Sequence, residues 1–279
     1  MTWRCRERVF EDPSRVLVMG ILNVTPDSFS DGGRYFEPAA AIARAHEMVA
    51  AGADILDLGG ESTRPGSAPV PAMEQVRRVL PVVRALEGSG ACLSIDTSSA
   101  EVARATLDAG AHIINDVTAL GDPAMAGVVA ASGAGLVLMH MQGTPATMQH
   151  APHYTDVVAE VGEFLAARMA LAVAGGVEAE RVALDPGLGF GKALEHSIRL
   201  MARLDEIAAL GRPVVMGASR KSFLGRLLGN TDPHDRIEAG LAAVSIGAFL
   251  GARIIRTHDV APTQRALRIA AALAAERHA

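Results

Sequence analysis

VLVMGILNVTPDSFSDGG, residues 16 to 33, changes character at Asn23. The apolar run from Val16 to Leu22 has the composition of a strand buried on both faces. Pro26, Asp27, Ser28, Ser30, Asp31, Gly32 and Gly33 then spell a polar loop. On its own this is a strand followed by a turn. Its meaning comes from repetition, because the same sequence of apolar run, polar ending and amphipathic Ala-rich stretch recurs to the end of the chain.

Strands are predicted at about 16–23, 54–59, 91–97, 112–116, 135–140, 181–185, 213–219 and 253–258. Between them Ile42, Ala45 and Val49 share a helical face, Ser98 and Glu101 have capping-box spacing, and Pro123 opens a short helix. Gly52, Gly110, Gly133, Gly175, Gly211 and Gly251 each fit a helix C-cap ahead of the next strand. Two connections are longer, Met141 to Thr155 before a helix from Asp156, and the double-helix segment Lys221 to Leu250. Eight βα units without a Ser/Gly linker predict an α/β protein of one domain, residues 1–279, folded as a (β/α)8 TIM barrel. Residues 1–15 are read as a short N-terminal extension. A doubly wound open sheet is the alternative, but the Gly-rich turn expected after its first strand is missing.

The bulk properties agree. The chain has 279 residues, of which 49% are hydrophobic and 4% aromatic, enough for a sizeable core of helices packed on parallel strands. A net charge of -5 with no basic stripe argues against nucleic acid as a partner. No run approaches about eighteen uninterrupted apolar residues, and Met1 to Pro13 is too charged for a signal peptide. The expectation is a soluble, cytoplasmic protein with no membrane partner. Cys5 and Cys92 match no metal or redox spacing and are read as structural.

A barrel gathers its strand ends at one mouth, so these residues belong together: Asn23, Gly59 to Arg64, Asp96, Asn115 and Asp116, His140, Asp185, Ser219 and Lys221, Arg256 and His258. Asp96 could cap the helix that follows it, although Ser98 is better placed for that. Asp185 ends an apolar strand before Pro186, where a carboxylate without a partner is costly, which favours a ligand. Asp116 reads as a turn residue and His140 as a satisfied structural histidine. His150 and His153 lack a third ligand at zinc spacing. LDPGLGFGK, residues 184–192, fails as a Walker loop, because Pro186 occupies the first glycine's place and Ala193 that of the Ser or Thr. It reads better as a loop that lets backbone approach a flat ligand beside Phe190. Lys221, Arg256 and His258 near helix N-termini suit phosphate, and Asn23 could offer Mg2+ a neutral oxygen.

GILNVTPDSFSDGG, DLGGESTRPG, SIDT, INDV, HMQGTP, LDPGLGFGK, GASRKSFLG and RTHDV, in that order, resemble the motifs of the dihydropteroate synthases of the folate pathway. The resemblance runs from about Val16 to the last helix. It implies a transferase that joins a dihydropterin-methyl diphosphate to 4-aminobenzoate, giving dihydropteroate and diphosphate. It places Asp185, Asp96 and Asn115 on the pterin's N–H edge, Lys221 at its oxygen and ring nitrogen, and Arg256 across its ring. Arg256, His258 and Asn23 with Mg2+ would hold the diphosphate, with Thr63 adding to that site. Asp31 would face the cationic methylene left after C–O cleavage, and Thr63, Arg64, Pro65, Phe190, Ser219 and Lys221 would shape the aminobenzoate site. Loops 24–36 and 60–70 would act as lids. The resemblance also implies sulfonamides as competitors and a homodimer through the last helices. A methyltetrahydrofolate methyltransferase could use the same Asp and Asn contacts, but its methyl donor has no group for Arg256 and His258. A catalytically silent pterin-binding paralogue would show erosion in STRPG, SRK or RTHDV, and all three are intact.

Overall fold

The structure is a computed structural model that describes residues 2–12, 14–25, 38–62, 67–229, 232 and 234–277. The N-terminal extension contains an antiparallel hairpin, β1 (Trp3–Cys5) and β2 (Arg8–Phe10), two strands beyond those predicted. Eight parallel strands follow: β3 (Leu17–Asn23), β4 (Ile55–Gly59), β5 (Cys92–Asp96), β6 (Ile113–Asp116), β7 (Gly135–Met139), β8 (Val182–Asp185), β9 (Val214–Met216) and β10 (Ala252–Thr257). They close into a barrel in sequence order, β10 pairing with β3 through Ile254 to Leu17 and Arg256 to Met19. Around it run α1 (Pro38–Ala50), α2 (Ala72–Ala85), α3 (Ala100–Asp108), α4 (Met125–Ser132), α5 (Val157–Ala174), α6 (Leu194–Ala202), α7 (Leu204–Ala208), α8 (Ser222–Leu228), α9 (Ile237–Phe249) and α10 (Val260–Arg277). Every predicted strand is present; β9 stops at Met216 because the chain turns out of the sheet at Gly217. Among the described residues no helix is long and apolar enough to cross a membrane.

The alternation of side chains along each strand divides the barrel into layers. One set of residues faces the helices and joins them in the main core, Val18, Leu56, Leu93 and Ile255 among them. The other set fills the barrel's lower interior: Met19, Ile55, Cys92, Ile113, Val137, Ala183, Val215 and Ile254, one from each strand. Trp3 and Cys5 of the hairpin belong to the same cluster. The hairpin therefore plugs the end of the barrel opposite the mouth. It is tied down by the Trp3 indole N–H donating to the Arg181 carbonyl at 3.0 Å and by Arg6, whose guanidinium donates to the Leu107 and Ala111 carbonyls at 2.9 and 3.0 Å. A side chain on Gly135 would collide with the Cys5 sulfur, which explains a residue without Cβ at the start of β7.

One local expectation is corrected. The cap of α3 is Ser99, not Ser98, its hydroxyl accepting from the Val102 N–H, while Asp122 from the next loop accepts the Ala100 N–H at 2.9 Å. Gly175 is the C-cap of α5, as read, with φ at -80°, and the left-handed residue is the following Gly176 at φ 94°. Gly52, Gly110, Gly133, Gly211 and Gly251 do take positive φ, as the cap reading requires. Trp3 is 1% exposed and stacks on Phe10 at 5.7 Å between ring centres. Trp3→Ala is expected to cost about 3–5 kcal/mol of stability by chemical denaturation. It should leave substrate KM values unchanged, because the plug lies at the far end of the barrel.

Candidate active site

Two residues beyond the apolar layer, the same inward-facing positions become polar: Asp57 on β4, Ser94 on β5, Asn115 on β6, Asp185 on β8 and Arg256 on β10. Strand register aligns the next rank, pairing Asn23 with Gly59, Gly59 with Asp96 and Asp96 with Asn115. Apolar floor, polar middle and open mouth are thus stacked along one axis.

Asp57 is the centre of the polar layer, and the sequence reading assigned it nothing. It is fully buried, accepting from Ser94 Oγ at 2.6 Å on one oxygen, and from Asn115 Nδ2 at 3.0 Å and Arg256 Nε at 2.6 Å on the other. Arg256 also donates through a terminal nitrogen to Asp96 at 2.7 Å. Three predicted residues, Asp96, Asn115 and Arg256, are therefore held in one network around a fourth. The other Asp96 oxygen is buried and has no hydrogen-bond partner among the described residues. Burial pushes the Asp96 carboxyl up, against the opposing pull of the Arg256 guanidinium. A signal for Asp57 was present: DILDLGG puts a carboxylate inside an apolar strand, in phase with the inward-facing Ile55.

Asp185 ends β8, buried, with one oxygen accepting the Gly187 N–H at 2.7 Å. Burial raises its affinity for a proton, while that N–H and the charges of Lys221, Arg256 and Lys192 act the other way. Lys221 sits at the start of α8 with its ammonium 3.9 Å from the centre of the Phe190 ring, so the predicted wall residue and the predicted cation meet. Burial and the neighbouring Arg256 bring the Lys221 amine down to about 8. Ser219 and His258 form a further pair, the hydroxyl lying 3.1 Å from His258 Nδ1 and accepting the His258 N–H at 3.2 Å.

The loop carrying Phe190 is held from behind. Lys192 is buried, its ammonium contacting His140 Nδ1 at 2.8 Å and donating to the carbonyls of His140 at 3.2 Å and Phe190 at 2.9 Å. Burial and Lys192 press the His140 imidazole down to about 3, so it is a neutral acceptor, in keeping with its reading as a structural histidine. Tyr154 donates to the Gly191 carbonyl at 2.7 Å and Gln149 to that of Gly189 at 2.9 Å. Gly187 and Gly191 lie so close to the His140 and Gln142 carbonyls that a side chain on either would clash, which accounts for two of the three glycines of LDPGLGFGK, and the third, Gly189, has φ at 80°. Asp116 turns away from the mouth, accepting from Thr118 and Leu120 N–H groups at 2.9 and 2.7 Å, as its turn reading requires.

Asn23 ends β3 beside Gly59. Asp31, Thr63, Arg64 and Pro65 lie outside the described residues, as do residues 26–36 of the first predicted lid and 63–66 of the second. The described mouth presents acceptors from Asp96, Asn115 and Asp185 beside cations at Lys221 and Arg256. Such a surface suits a flat ligand with an N–H edge and an anionic tail.

A family model described as pterin binding enzyme matches residues 19–258. The dihydropteroate synthase of Escherichia coli K12 is 48% identical over 259 residues, covering 92% of either chain. A Yersinia pestis dihydropteroate synthase solved with a sulfonamide drug superposes with a TM-score of 0.92 at 43% identity, over 99% of this chain and 100% of that one. The Xanthomonas albilineans enzyme in complex with 7,8-dihydropteroate gives a TM-score of 0.88 at 42% identity, over 98% of each. With its motifs in order, its polar layer above an apolar floor and likeness along nearly its whole length, this chain belongs to the pterin binding enzymes, among the dihydropteroate synthases.

Proposed function

We propose that this chain is a transferase that joins (7,8-dihydropterin-6-yl)methyl diphosphate to 4-aminobenzoate, giving 7,8-dihydropteroate and diphosphate. The observation that carries the reading is the wall of buried acceptors, Asp96, Asn115 and Asp185, facing Lys221 and Arg256 across one barrel mouth. A dihydropterin offers adjacent N–H donors that the Asp185 carboxylate can accept in parallel, and the Asp96 oxygen that has no partner among the described residues offers another acceptor. The Lys221 ammonium suits the pterin oxygen and ring nitrogen. Arg256, its fork fixed by Asp57 and Asp96, presents a positive plane to the ring and the diphosphate.

The C–O bond to diphosphate breaks first, its electron pair leaving with the diphosphate. Arg256 and His258 stabilise that charge as it develops. The aryl amine of 4-aminobenzoate then attacks the cationic methylene, forms the C–N bond and loses its extra proton to solvent. No residue becomes covalently attached. In this proposal Asp31 faces the cation and Thr63, Arg64 and Pro65 complete the second-substrate site opposite Phe190, Ser219 and Lys221. Sulfonamides compete there with 4-aminobenzoate.

Asn23 would hold Mg2+. A single amide oxygen is a hard donor of the kind magnesium takes when substrate phosphates supply the rest, and among the described residues no group of three or more His, Cys, Asp or Glu offers a full protein cage. When bound, the ion would neutralise charge on the departing diphosphate. We also place the protein in the cytoplasm and pair it as a homodimer through α9 and α10, which pack together and expose Ile246, Phe249, Ile269 and Leu273.

Purified protein given both substrates and Mg2+ should form dihydropteroate, and a sulfonamide should raise the KM for 4-aminobenzoate. Asp185→Asn and Arg256→Ala should each lower kcat/KM by roughly 10²-fold or more; unchanged turnover in both would reject this site. Because the Lys221 ammonium is lost as pH rises through about 8, kcat/KM should fall on the alkaline side, and Lys221→Arg should move that limb upward. Chelation should stop turnover, added Mg2+ should restore it, and Asn23→Ala should raise the Mg2+ concentration needed for half-maximal rate.

A further inference from the structure

The connection from β9 to α8 contains a tight turn, Ala218 to Lys221, closed by the Lys221 N–H donating to the Ala218 carbonyl at 3.3 Å. Its third residue, Arg220, has φ at 57°, a conformation that such turns ordinarily give to glycine. A residue with a side chain persists there only when its surroundings fix it. The surroundings here are specific. The Arg220 guanidinium grips both oxygens of Asp259, Nε at 3.2 Å and a terminal nitrogen at 2.7 Å. Buried Arg236 donates to the Arg220 carbonyl at 3.0 Å, and the Asp259 N–H is itself anchored on Thr257 Oγ1 at 3.1 Å.

What the fork joins gives it a purpose. Ser219 and Lys221 flank Arg220, and His258 precedes Asp259, so one planar ion pair spans the segments that carry the Lys221 ammonium and the His258 ring. Ser219 and His258 touch on the mouth side of the same junction. The pair is not a source of much stability: its side chains are 30% and 18% exposed, and ion pairs open to solvent contribute little. Its bidentate geometry constrains direction instead.

We propose that Arg220 is a positioning residue for the reaction, holding with Asp259 the left-handed turn that aims Ser219 and Lys221 into the mouth in register with Arg256 and His258. The inference rests on the dihydropteroate-forming reading above. It differs from a substrate-binding role, because the Arg220 side chain acts through Asp259.

The test compares wild type with Arg220→Gly, Arg220→Lys, Asp259→Asn and the Arg220→Gly/Asp259→Asn double variant, reading kcat, both KM values and Tm. Glycine accepts the turn's φ without a side chain, and lysine keeps the charge without the fork. Arg220→Gly and Asp259→Asn should each lower kcat about tenfold to a hundredfold while Tm moves by less than about 4 °C. The double variant should be no worse than either single one, and Arg220→Lys should recover part of the loss. Should Arg220→Gly not fold, Asp259→Asn with Arg220→Lys decides the matter alone. Full kcat in the variants, losses that multiply in the double variant, or losses that follow Tm would each overturn the positioning role. A wild type that turns nothing over would instead reject the reaction itself.

Discussion

Asp57 puts a carboxylate with no solvent exposure inside the barrel, one layer above an apolar floor, and Ser94, Asn115 and Arg256 converge on it. A charge so placed has to be neutralised where it stands, and stranding one costs about 3–5 kcal/mol. Arg256 supplies the opposite charge and is thereby fixed in direction, with Asp96 taking the next nitrogen of the fork. The consequence for chemistry is preorganisation. A guanidinium already oriented and partly desolvated meets an arriving anion without reorganising in the transition state.

The floor beneath makes that arrangement effective. Met19, Ile55, Cys92, Ile113, Val137, Ala183, Val215 and Ile254, sealed by Trp3 and Cys5, keep water from the lower side of the polar layer. Charges above such a floor interact more strongly than charges surrounded by water. The hairpin completes that floor from below and lies apart from the described residues at the mouth.

Around the mouth, long side chains tie loop to loop where glycine has given up rigidity. Lys192 gathers the His140 and Phe190 carbonyls behind the Gly-rich loop, and Arg220 spans to Asp259 behind the Lys221 turn. Both are cations used as multi-pronged donors, which is how a backbone close to a ligand can be held without side chains on its ligand side.

The amino-acid sequence by itself determined the eight strands, the alternation with helices, and the residues that end each strand, because these follow from local periodicity, capping and turn chemistry within a few residues. Asn115, Asp185, Lys221 and His140 were legible for the same reason: each interrupts an apolar run or closes it. Where choices were equally local but nearly degenerate, as between Ser98 and Ser99, the neighbour took the cap. Only the tertiary structure decided that Asp57 is the hub, that the hairpin Trp3 to Phe10 closes the floor of the barrel, and that Arg220 is bound to Asp259. Those depend on partners far along the chain, 199 residues apart for Asp57 and Arg256 and 178 for Trp3 and Arg181. No local pattern encodes such a pairing; closing the barrel creates it.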